Sequence, residues 1–228
     1  MPCLLVLPRR RVLVTLGVAA LAGCRLLGGG ALDLDAPSPE PVALREALDR
    51  FGMPASGPDD AAERLAFVAE RLREAGLAPV LDSLVVAGGL RVLALVPGRH
   101  PAHRDTLVVA MADVDDPAAA TLLAAAPVLS AQAAVEPIPA RSILFVFAGG
   151  PAELRAALDL PFWPEGRIAR GRYVTGEPDR ARALGAMGWP VEPVVAGSFG
   201  VGKSRNGAAL RFTHALLDTL RADAAGVR

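Results

Sequence analysis

Two short stretches carry residue types and spacings that could do chemistry, and the first is GSFGVGKS at 197–204. It fits the phosphate-binding pattern G-x-x-x-x-G-K-[ST] at every fixed position, which here are Gly197, Gly202, Lys203 and Ser204. In that pattern backbone N–H groups surround the phosphates, the lysine neutralises them and the hydroxyl binds magnesium. The motif alone predicts binding of a nucleotide or another anion, and the neighbouring elements must test that prediction.

The second stretch is an acidic turn. Asp113, Asp115 and Asp116 directly follow the apolar segment TLVVAMA (106–112), and Glu153 follows the next apolar segment along the chain. Carboxylates grouped in this way can bind one hard divalent cation weakly through their oxygens. We favour the alternative interpretation, in which Asp116 caps a helix and the other carboxylates are solvated at strand ends.

The three histidines are dispersed. His100 and His103 form an H-x-x-H pattern in the polar loop GRHPAHRD, and this pattern could hold a metal ion. Two histidines in a loop of proline and arginine are more often simply solvated. His214 falls within the predicted last helix beside Leu210 and Leu217, so we expect it at the helix surface or the edge of the core.

The N-terminus has the pattern of a secretory signal peptide. Three arginines at 9–11 precede an apolar run, Val12–Gly23, that is too short to span a membrane as an ordinary helix. The run ends in LAGC at 21–24, which resembles the lipobox of bacterial lipoproteins. That resemblance implies cleavage before Cys24 and acylation of its thiol and its new amino group. The alternative is an uncleaved membrane anchor that contains a cysteine by chance.

The lipoprotein interpretation divides the chain into a signal peptide (1–23), a lipidated cysteine with a flexible stalk (24–40) and one folded domain (41–228). Cys3 leaves with the signal and Cys24 carries lipid such as palmitate, so no thiol remains for a disulfide or a thiolate metal site. Acyl chains on Cys24 would make attachment to the membrane effectively permanent. We therefore expect an exported protein anchored in a bacterial cell envelope, in the periplasm or at the cell surface.

The charge balance argues against nucleic acid as a partner. The 228 residues include 24 basic and 24 acidic side chains, and removing residues 1–23 takes away three arginines. The mature chain then carries a net charge of about −3, with no basic surplus to attract phosphates. No second apolar segment is long enough to span a membrane.

Strand patterns alternate with helical ones along the domain, which predicts an α/β fold with a mostly parallel sheet. The segment TLVVAMA is apolar throughout, so we expect it to be buried on both faces of that sheet. The predicted helices are 58–76, 117–132 (with a kink at Pro127), 151–158, 179–188 and 207–222, and the predicted strands are 80–86, 90–96, 106–112, 141–150, 171–176 and 191–197.

Several motifs in this order resemble the co-catalytic zinc aminopeptidase family, which includes bacterial leucyl aminopeptidases and shares its fold with glutaminyl cyclases. The similar segments are AAERLAFVAERLREAGL, LRVLALVPG, HRDTLVVAMAD, RSILFVF and GWPVEPVV. The resemblance covers most of the chain from about residue 58. It implies a three-layer α/β sandwich, with functional residues at the carboxyl ends of the strands.

In that family two zinc ions are held by a histidine, a bridging aspartate, a further glutamate or aspartate, another aspartate and a distant histidine. The first histidine lies in a His-x-Asp motif, where this chain has Met111 and Asp113. A thioether is a poor zinc ligand, and Asp113 is left with no histidine to orient. The bridging aspartate corresponds to Asp115, or to Asp116 with a one-residue shift.

The remaining positions of the family site also differ. The segment 150–152 (Gly-Pro-Ala) stands where the adjacent glutamates are expected, with Glu153 displaced along the chain, and no histidine follows EPVV. The resemblance therefore implies a vestigial site, whose residues are Met111, Asp113, Asp115, Asp116 and Glu153. Zinc is expected only under the alternative of an active peptidase with displaced ligands such as Asp113, Asp115, Glu153 and His100.

The elements around GSFGVGKS argue against a nucleotide hydrolase. Only 24 residues follow Ser204, which is room for one helix but not for the further strands that such enzymes need. We interpret the motif as a Gly-rich loop that can bind an anion weakly through its N–H groups. The first hypothesis is thus a non-catalytic module that binds a peptide or protein. An active metallopeptidase is the second, and nucleotide binding is the third.

Overall fold

The N-terminal helices begin at prolines, whose missing N–H group costs nothing in the first turn of a helix. In the computed structural model, helix α1 is Pro41–Phe51 and helix α2 is Pro58–Glu74. The structure describes residues 39–53, 56–83, 89–100, 102–103, 106–135, 140–150, 153–154, 168–186, 191–196 and 203–225. The predicted elements do not include α1, although its buried residues Leu44, Leu48 and Phe51 have helical spacing.

Helix α2 agrees closely with the prediction for 58–76. Its buried residues Leu65, Val68 and Leu72 follow the 3.6-residue period. Gly76, with φ of 76°, ends the helix, because the N–H of Leu77 returns to the carbonyl of Leu72 over a distance of 2.9 Å. This Schellman arrangement needs a left-handed residue at that point, which glycine adopts without strain.

Six strands form one sheet in the order β1-β2-β4-β3-β5-β6. They are β1 Val80–Ser83, β2 Leu90–Val96, β3 Leu107–Asp113, β4 Ser142–Ala148, β5 Ile168–Thr175 and β6 Val191–Val195. β3, β4, β5 and β6 run parallel, whereas β1 pairs antiparallel with β2, and β2 antiparallel with β4. The prediction of a mostly parallel central sheet is therefore confirmed.

The remaining helices complete the layers on the two sides of the sheet. They are α3 Ala119–Val135, α4 Pro178–Ala186 and α5 Lys203–Ala225. One face of the sheet packs on α2, α3 and α5, and α1 packs on α3 and α5; the other face contacts α4 and the short helical turn at Glu153 and Leu154. The expected three-layer α/β sandwich is confirmed, with α3 and α5 longer than predicted.

β3 lies in the middle of the sheet between β4 and β5, and it is buried along its whole length. Val108, Ala110 and Ala112 face the larger helical layer, and Val109 and Met111 face the α4 side. A strand between two helical layers must be apolar on both faces, which explains the uninterrupted apolar sequence. The strand ends in Asp113, whose buried side chain lies at the carboxyl end of the sheet.

The carboxyl end of α5 is fixed to the opposite edge of the sheet. Arg172 of β5 donates two hydrogen bonds to the carboxylate of Asp223, at 2.6 and 2.9 Å. Arg141, just before β4, bonds to the backbone carbonyls of Asp223 and Ala224. These contacts satisfy carbonyls that the last turn of a helix leaves unpaired, which explains why α5 extends beyond the predicted residue 222.

Candidate functional site

The carboxyl ends of β4, β3 and β5 lie side by side, because these strands are parallel neighbours. The turn after β3 contains Asp113, Asp115 and Asp116. It lies between the loop that follows β4 and the loop that follows β5 at Gly176. In open α/β sheets this edge is where ligands usually bind. The topology thus brings the predicted acidic residues to one place.

Asp113 is completely buried, with an exposed fraction of 0%. Its Oδ1 accepts hydrogen bonds from the N–H groups of Asp115 (2.9 Å) and Gly150 (3.0 Å), and its Oδ2 accepts one from Arg180 Nη1 (2.5 Å). The expectation of a solvated carboxylate is wrong for this residue. Instead of having nothing to orient, Asp113 joins the β3 turn, the β4 loop and helix α4.

Burial raises the pKa of Asp113 above its ordinary value, because the charged form loses hydration. The N–H of Asp115, the charge of Arg180 and the N–H of Gly150 act in the opposite direction, and the nearby charge of Asp115 adds to the increase. Desolvation therefore outweighs the hydrogen bonds and the guanidinium. Asp113 is held by polar contacts that only partly offset the cost of its burial.

Asp116 is also buried, and its oxygens are fully used by the fold. They accept hydrogen bonds from the hydroxyl of Thr175 (2.5 Å), the N–H of Gly176 (2.8 Å) and the N–H of Ala118 (2.9 Å). A Cβ atom at Gly176 would lie 3.1 Å from Asp116 Oδ1, so glycine permits this close approach. Asp116 holds the start of α3, as the capping interpretation expects, and also ties β3 to β5.

Glu153 is brought to the same edge although the sequence places it beyond the family position. Its Oε2 accepts a hydrogen bond from the N–H of Gly149 at 2.9 Å. A Cβ atom at Gly89 would lie 2.4 Å from Glu153 Cδ, so the carboxylate fills space left by a glycine. Desolvation raises the pKa of Glu153, and the charges of Asp113 and Asp115 raise it further.

Arg64 of α2 supports the turn from the other side of the sheet. It is only 3% exposed, and it donates to the carbonyl oxygens of Val114 (3.1 Å) and Met53. Its Nη1 lies 3.8 Å from Asp115 Oδ1, which is buried and has no hydrogen-bond partner among the described atoms. Arg64 and Arg180 were absent from the predicted site, because their helices are distant from the turn in sequence.

Met111 and Tyr173 lie opposite each other in the β3–β5 register, on the α4 side of the sheet. Met111 is fully buried among Val109, Val146 and Tyr173, so it is part of an apolar cluster. Tyr173 is 1% exposed, and its hydroxyl, though close to Thr175, has no hydrogen bond of normal geometry within the described chain. Burial, followed by the charges of Asp113 and Asp116, raises the Tyr173 pKa.

The histidines do not join this edge. His100 and His103 are exposed and stack on each other with ring centroids 5.1 Å apart. Their loop lies between the end of β2 and the start of β3, which is the opposite edge of the sheet, about 20 Å from Asp113 for a seven-residue strand. His214 lies half-buried within α5, as expected. A ligand set that combines His100 with Asp113, Asp115 and Glu153 is therefore not formed.

The residues at this edge do not fit the pair of zinc ions that the resemblance implies. Within the described ranges, no three or more His, Cys, Asp or Glu side chains are grouped to hold a metal ion. Asp116 is occupied by Thr175 and Gly176, and Asp113 by Arg180, so the oxygens that zinc would need already have partners. An imidazole-free site of this kind is also a poor match for zinc.

Other predicted features fall outside the described residues. These are the signal peptide, Cys24 and most of the stalk, together with Gly197 and Gly202 of the Gly-rich loop. Lys203 and Ser204 begin α5, and only their backbone is described. Lipidation and anion binding therefore stay predictions. In the described part of the chain, no helix is long and apolar enough to cross a membrane.

Comparisons with known proteins support the fold. No family model and no curated protein matches the chain. Among solved structures, Macrostomum lignano glutaminyl cyclase is 12% identical, with a TM-score of 0.50 over 80% of this chain and 90% of that one. A proposed Zn-dependent exopeptidase from Bacteroides vulgatus is also 12% identical, with a TM-score of 0.50 over 85% and 98%. The zinc-aminopeptidase-like fold is confirmed, and at this identity the likeness shows the fold alone.

Proposed function

We propose that this chain is an exported, lipid-anchored protein whose domain keeps the exopeptidase and glutaminyl cyclase fold but binds a peptide or protein without catalysing a reaction. The observation that carries this proposal is that the carboxylates at this edge of the sheet are already hydrogen-bonded within the fold. Asp113 and Asp116 accept hydrogen bonds from the backbone and side chains of three neighbouring loops. Side chains that hold the fold in this way are not available to bind and activate a metal-bound water.

Peptide hydrolysis by the family mechanism needs an open metal position and a separate general base. Glu153 has a raised pKa and a partly accessible carboxylate, which would suit a base. However, a base needs a polarised water within hydrogen-bond reach, and no described group beside Glu153 supplies the polarising cation. Arg180 is committed to Asp113 and Glu177. We therefore assign the site no catalytic step.

A binding role is supported by a hollow of about 610 Å³ between α1 and α2. Its lining includes Met53, Asp60, Phe67 and Arg64, and the guanidinium of Arg64 also contacts the turn after β3. Met53 is strongly exposed there, which is typical of surfaces that adapt to a partner. Charged groups of both signs make up most of the lining, and Met53 and Phe67 add apolar surface, a combination suited to a peptide segment.

The test of this proposal is the metal content and activity of the full-length protein, purified in detergent without chelator or affinity histidines. We expect far less than one zinc ion per chain, and no release of amino acids or pyroglutamate from peptide substrates after incubation with zinc. About two zinc ions per chain together with chelator-sensitive cleavage would instead establish the metallopeptidase alternative. Cleavage that resists chelators would also contradict the proposal.

The lipid anchor is tested separately by labelling growing cells with a palmitate analogue. Wild type and Cys3→Ser should incorporate the label, because Cys3 lies in the cleaved segment. Cys24→Ser should lose the label, since no thiol is then present at the acylation site. Label that persists in Cys24→Ser would refute lipidation at this residue.

A further inference from the structure

The charges that line the hollow between α1 and α2 do not balance one another. The described lining contains two cations and three carboxylates, which are Arg50, Arg64, Glu46, Asp49 and Asp60. Both cations already have partners. Arg50 Nη2 lies 3.1 Å from Oε2 of Glu63, a residue that is not part of the lining, and Arg64 donates to the carbonyls of Val114 and Met53. Neither arginine is therefore available to neutralise the carboxylates of the hollow.

Two of the three carboxylates keep oxygens that a ligand could use. Glu46 pairs with Arg71 of α2 at 2.5 Å, so its charge is compensated. Asp49 is exposed and makes no hydrogen bond or ion pair with any residue that the structure describes. Asp60 uses only Oδ2, which accepts a hydrogen bond from the N–H of Ser56 at 2.8 Å. A cationic group in the hollow would therefore meet the carboxylate of Asp49 and the remaining oxygen of Asp60.

Asp49 also occupies an electrostatically unfavourable position within α1. It lies in the last turn of the helix, which ends at Phe51 and is closed by the N–H of Gly52 bonding to the carbonyl of Leu48 at 2.8 Å. The carboxyl end of a helix carries partial negative charge, which disfavours a carboxylate and favours a cation. Arg50 in the same turn is paired with Glu63. A bound cation would thus be attracted both by the charge of Asp49 and by the end of the helix.

Apolar surface lines the same hollow. Met53 is 70% exposed, and its flexible side chain can adapt to a ligand. Phe67 is half-buried and fixed in place, because its ring packs edge-on against Phe51 with centroids 6.1 Å apart and lies 5.2 Å from the guanidinium of Arg71. Lysine and arginine side chains combine a charged head with an aliphatic stem, so one such side chain can contact carboxylates and apolar surface together.

We infer that this hollow binds a basic segment of a peptide partner, with a lysine or arginine head beside Asp49 and Asp60 and the stem against Met53 and Phe67. The inference rests on the proposed function, to which it adds the place and the charge of the ligand. The hollow, at about 610 Å³, falls within the usual size range of ligand pockets. Because the carboxylates are partly exposed, binding is weak and depends on salt.

Three pentapeptides that differ only at the central residue test this charge preference. They are Ala-Leu-Lys-Leu-Ala, Ala-Leu-Met-Leu-Ala and Ala-Leu-Glu-Leu-Ala, each acetylated and carrying a neutral fluorophore on its C-terminal amide. Binding to the full-length, zinc-free protein in uncharged detergent is measured by fluorescence anisotropy, with protein-free micelles as the blank. We expect the lysine peptide to bind about tenfold more tightly than the methionine peptide, and the glutamate peptide to bind most weakly. Raising the salt concentration to about 0.5 M should remove most of this preference.

Asp49→Asn removes a charge and keeps the shape of the side chain. It should weaken binding of the lysine peptide by about three- to fivefold and leave the methionine peptide unchanged. The matched control is Asp179→Asn on α4, at the other face of the sheet, where Asp179 pairs with Arg182 on the surface. This control should change none of the three affinities. Met53→Ala keeps the carbonyl that Arg64 uses and removes apolar contact, so it should weaken all three peptides by a similar factor.

Several results would overturn the inference. Equal affinities of the three peptides, or no detectable binding of the lysine peptide, would show that the hollow does not select a cation. Tighter binding of the glutamate peptide would show that Arg50 and Arg64 determine the charge preference. A lysine preference that is unchanged in Asp49→Asn would place the cation elsewhere on the protein. Zinc-dependent cleavage of the lysine peptide would contradict the proposed function alone, because the charge preference is measured without zinc.

Discussion

The buried guanidinium of Arg64 gives the sharpest test of how the site is built. Replacing Arg64 with methionine keeps much of the side-chain volume and removes the hydrogen bonds to the carbonyls of Val114 and Met53. Hydrogen bonds that involve a charged group contribute about 1.5–3 kcal/mol each, and unpaired buried carbonyls add a desolvation cost. The methionine variant no longer has to bury a charged guanidinium, and this offsets part of the loss of stability. We expect Arg64→Met to lose about 2–4 kcal/mol.

A matched substitution on the same helix separates this contact from helix propensity. Arg73 is 54% exposed and pairs with Glu70 at 3.0 Å on the surface. Arg73→Met should therefore change the free energy of unfolding by less than about 0.5 kcal/mol. The assay is denaturant unfolding of both variants, with hydrogen exchange of the turn 113–118 as a local readout. Exchange in that turn should become faster in Arg64→Met alone.

Equal losses in Arg64→Met and Arg73→Met would refute the reasoning, because the buried contacts would then contribute nothing beyond a surface ion pair. Normal exchange protection of residues 113–118 in a destabilised Arg64→Met would also count against it. In that case Arg64 would stabilise the packing of α1 on α2 through Met53 and would not support the carboxylate turn.

Three further predictions concern the same edge and its support. Folding raises the pKa of Asp113, so the contribution of this residue to stability is complete below the ordinary pKa of 3.8 and is lost as the pH rises through the folded-state pKa. Asp113→Asn should therefore gain stability relative to wild type as the pH rises above about 4. A difference in unfolding midpoints that does not change with pH would contradict this prediction. Gly89→Ala should push the carboxylate of Glu153 into solvent at little cost in stability. An NMR titration should then show the Glu153 pKa returning toward 4.5. An unchanged pKa would contradict the placement of this carboxylate against Gly89. Gly98→Ala places a Cβ atom 2.5–2.7 Å from backbone atoms of residues 140–142, so the free energy of unfolding should fall by about 2–3 kcal/mol in chemical denaturation. The control Gly185→Ala meets nothing within 4 Å, and its free energy of unfolding should rise by about 0.5 kcal/mol. Similar values for the two variants would rule out the close approach at Gly98.

The sequence predicts the layered fold well because its strongest signals are periodic. The apolar run that became β3 and the amphipathic pattern of α2 are each sufficient to identify their element. Helix α1 was missed although Pro41 and the spacing of Leu44, Leu48 and Phe51 carry the same kind of signal. This helix has only 11 residues, and it begins directly after the segment whose glycines and prolines predict a flexible stalk.

The site is harder to predict because its contacts are distant in sequence. Arg180 and Asp113 are separated by 67 residues, and Arg64 and Val114 by 50. An arginine on an amphipathic helix is most often solvated, so neither cation is distinguishable from its neighbours by residue type. The position of the Glu153 carboxylate against Gly89 depends on the antiparallel pairing of β2 with β4. Only the assembled sheet brings these residues together.

Pro193 in the edge strand β6 has a consequence for how this protein can associate. The pairing of β6 with β5 is uninterrupted from Val191 to Val195. The backbone nitrogen of Pro193, which carries no hydrogen, therefore faces the open side of the sheet. An incoming strand would find no donor there, and Glu192 adds charge nearby. Growth of the sheet by adding strands at β6 is thereby disfavoured. Recognition at this side of the sheet would therefore depend on side chains and not on the backbone.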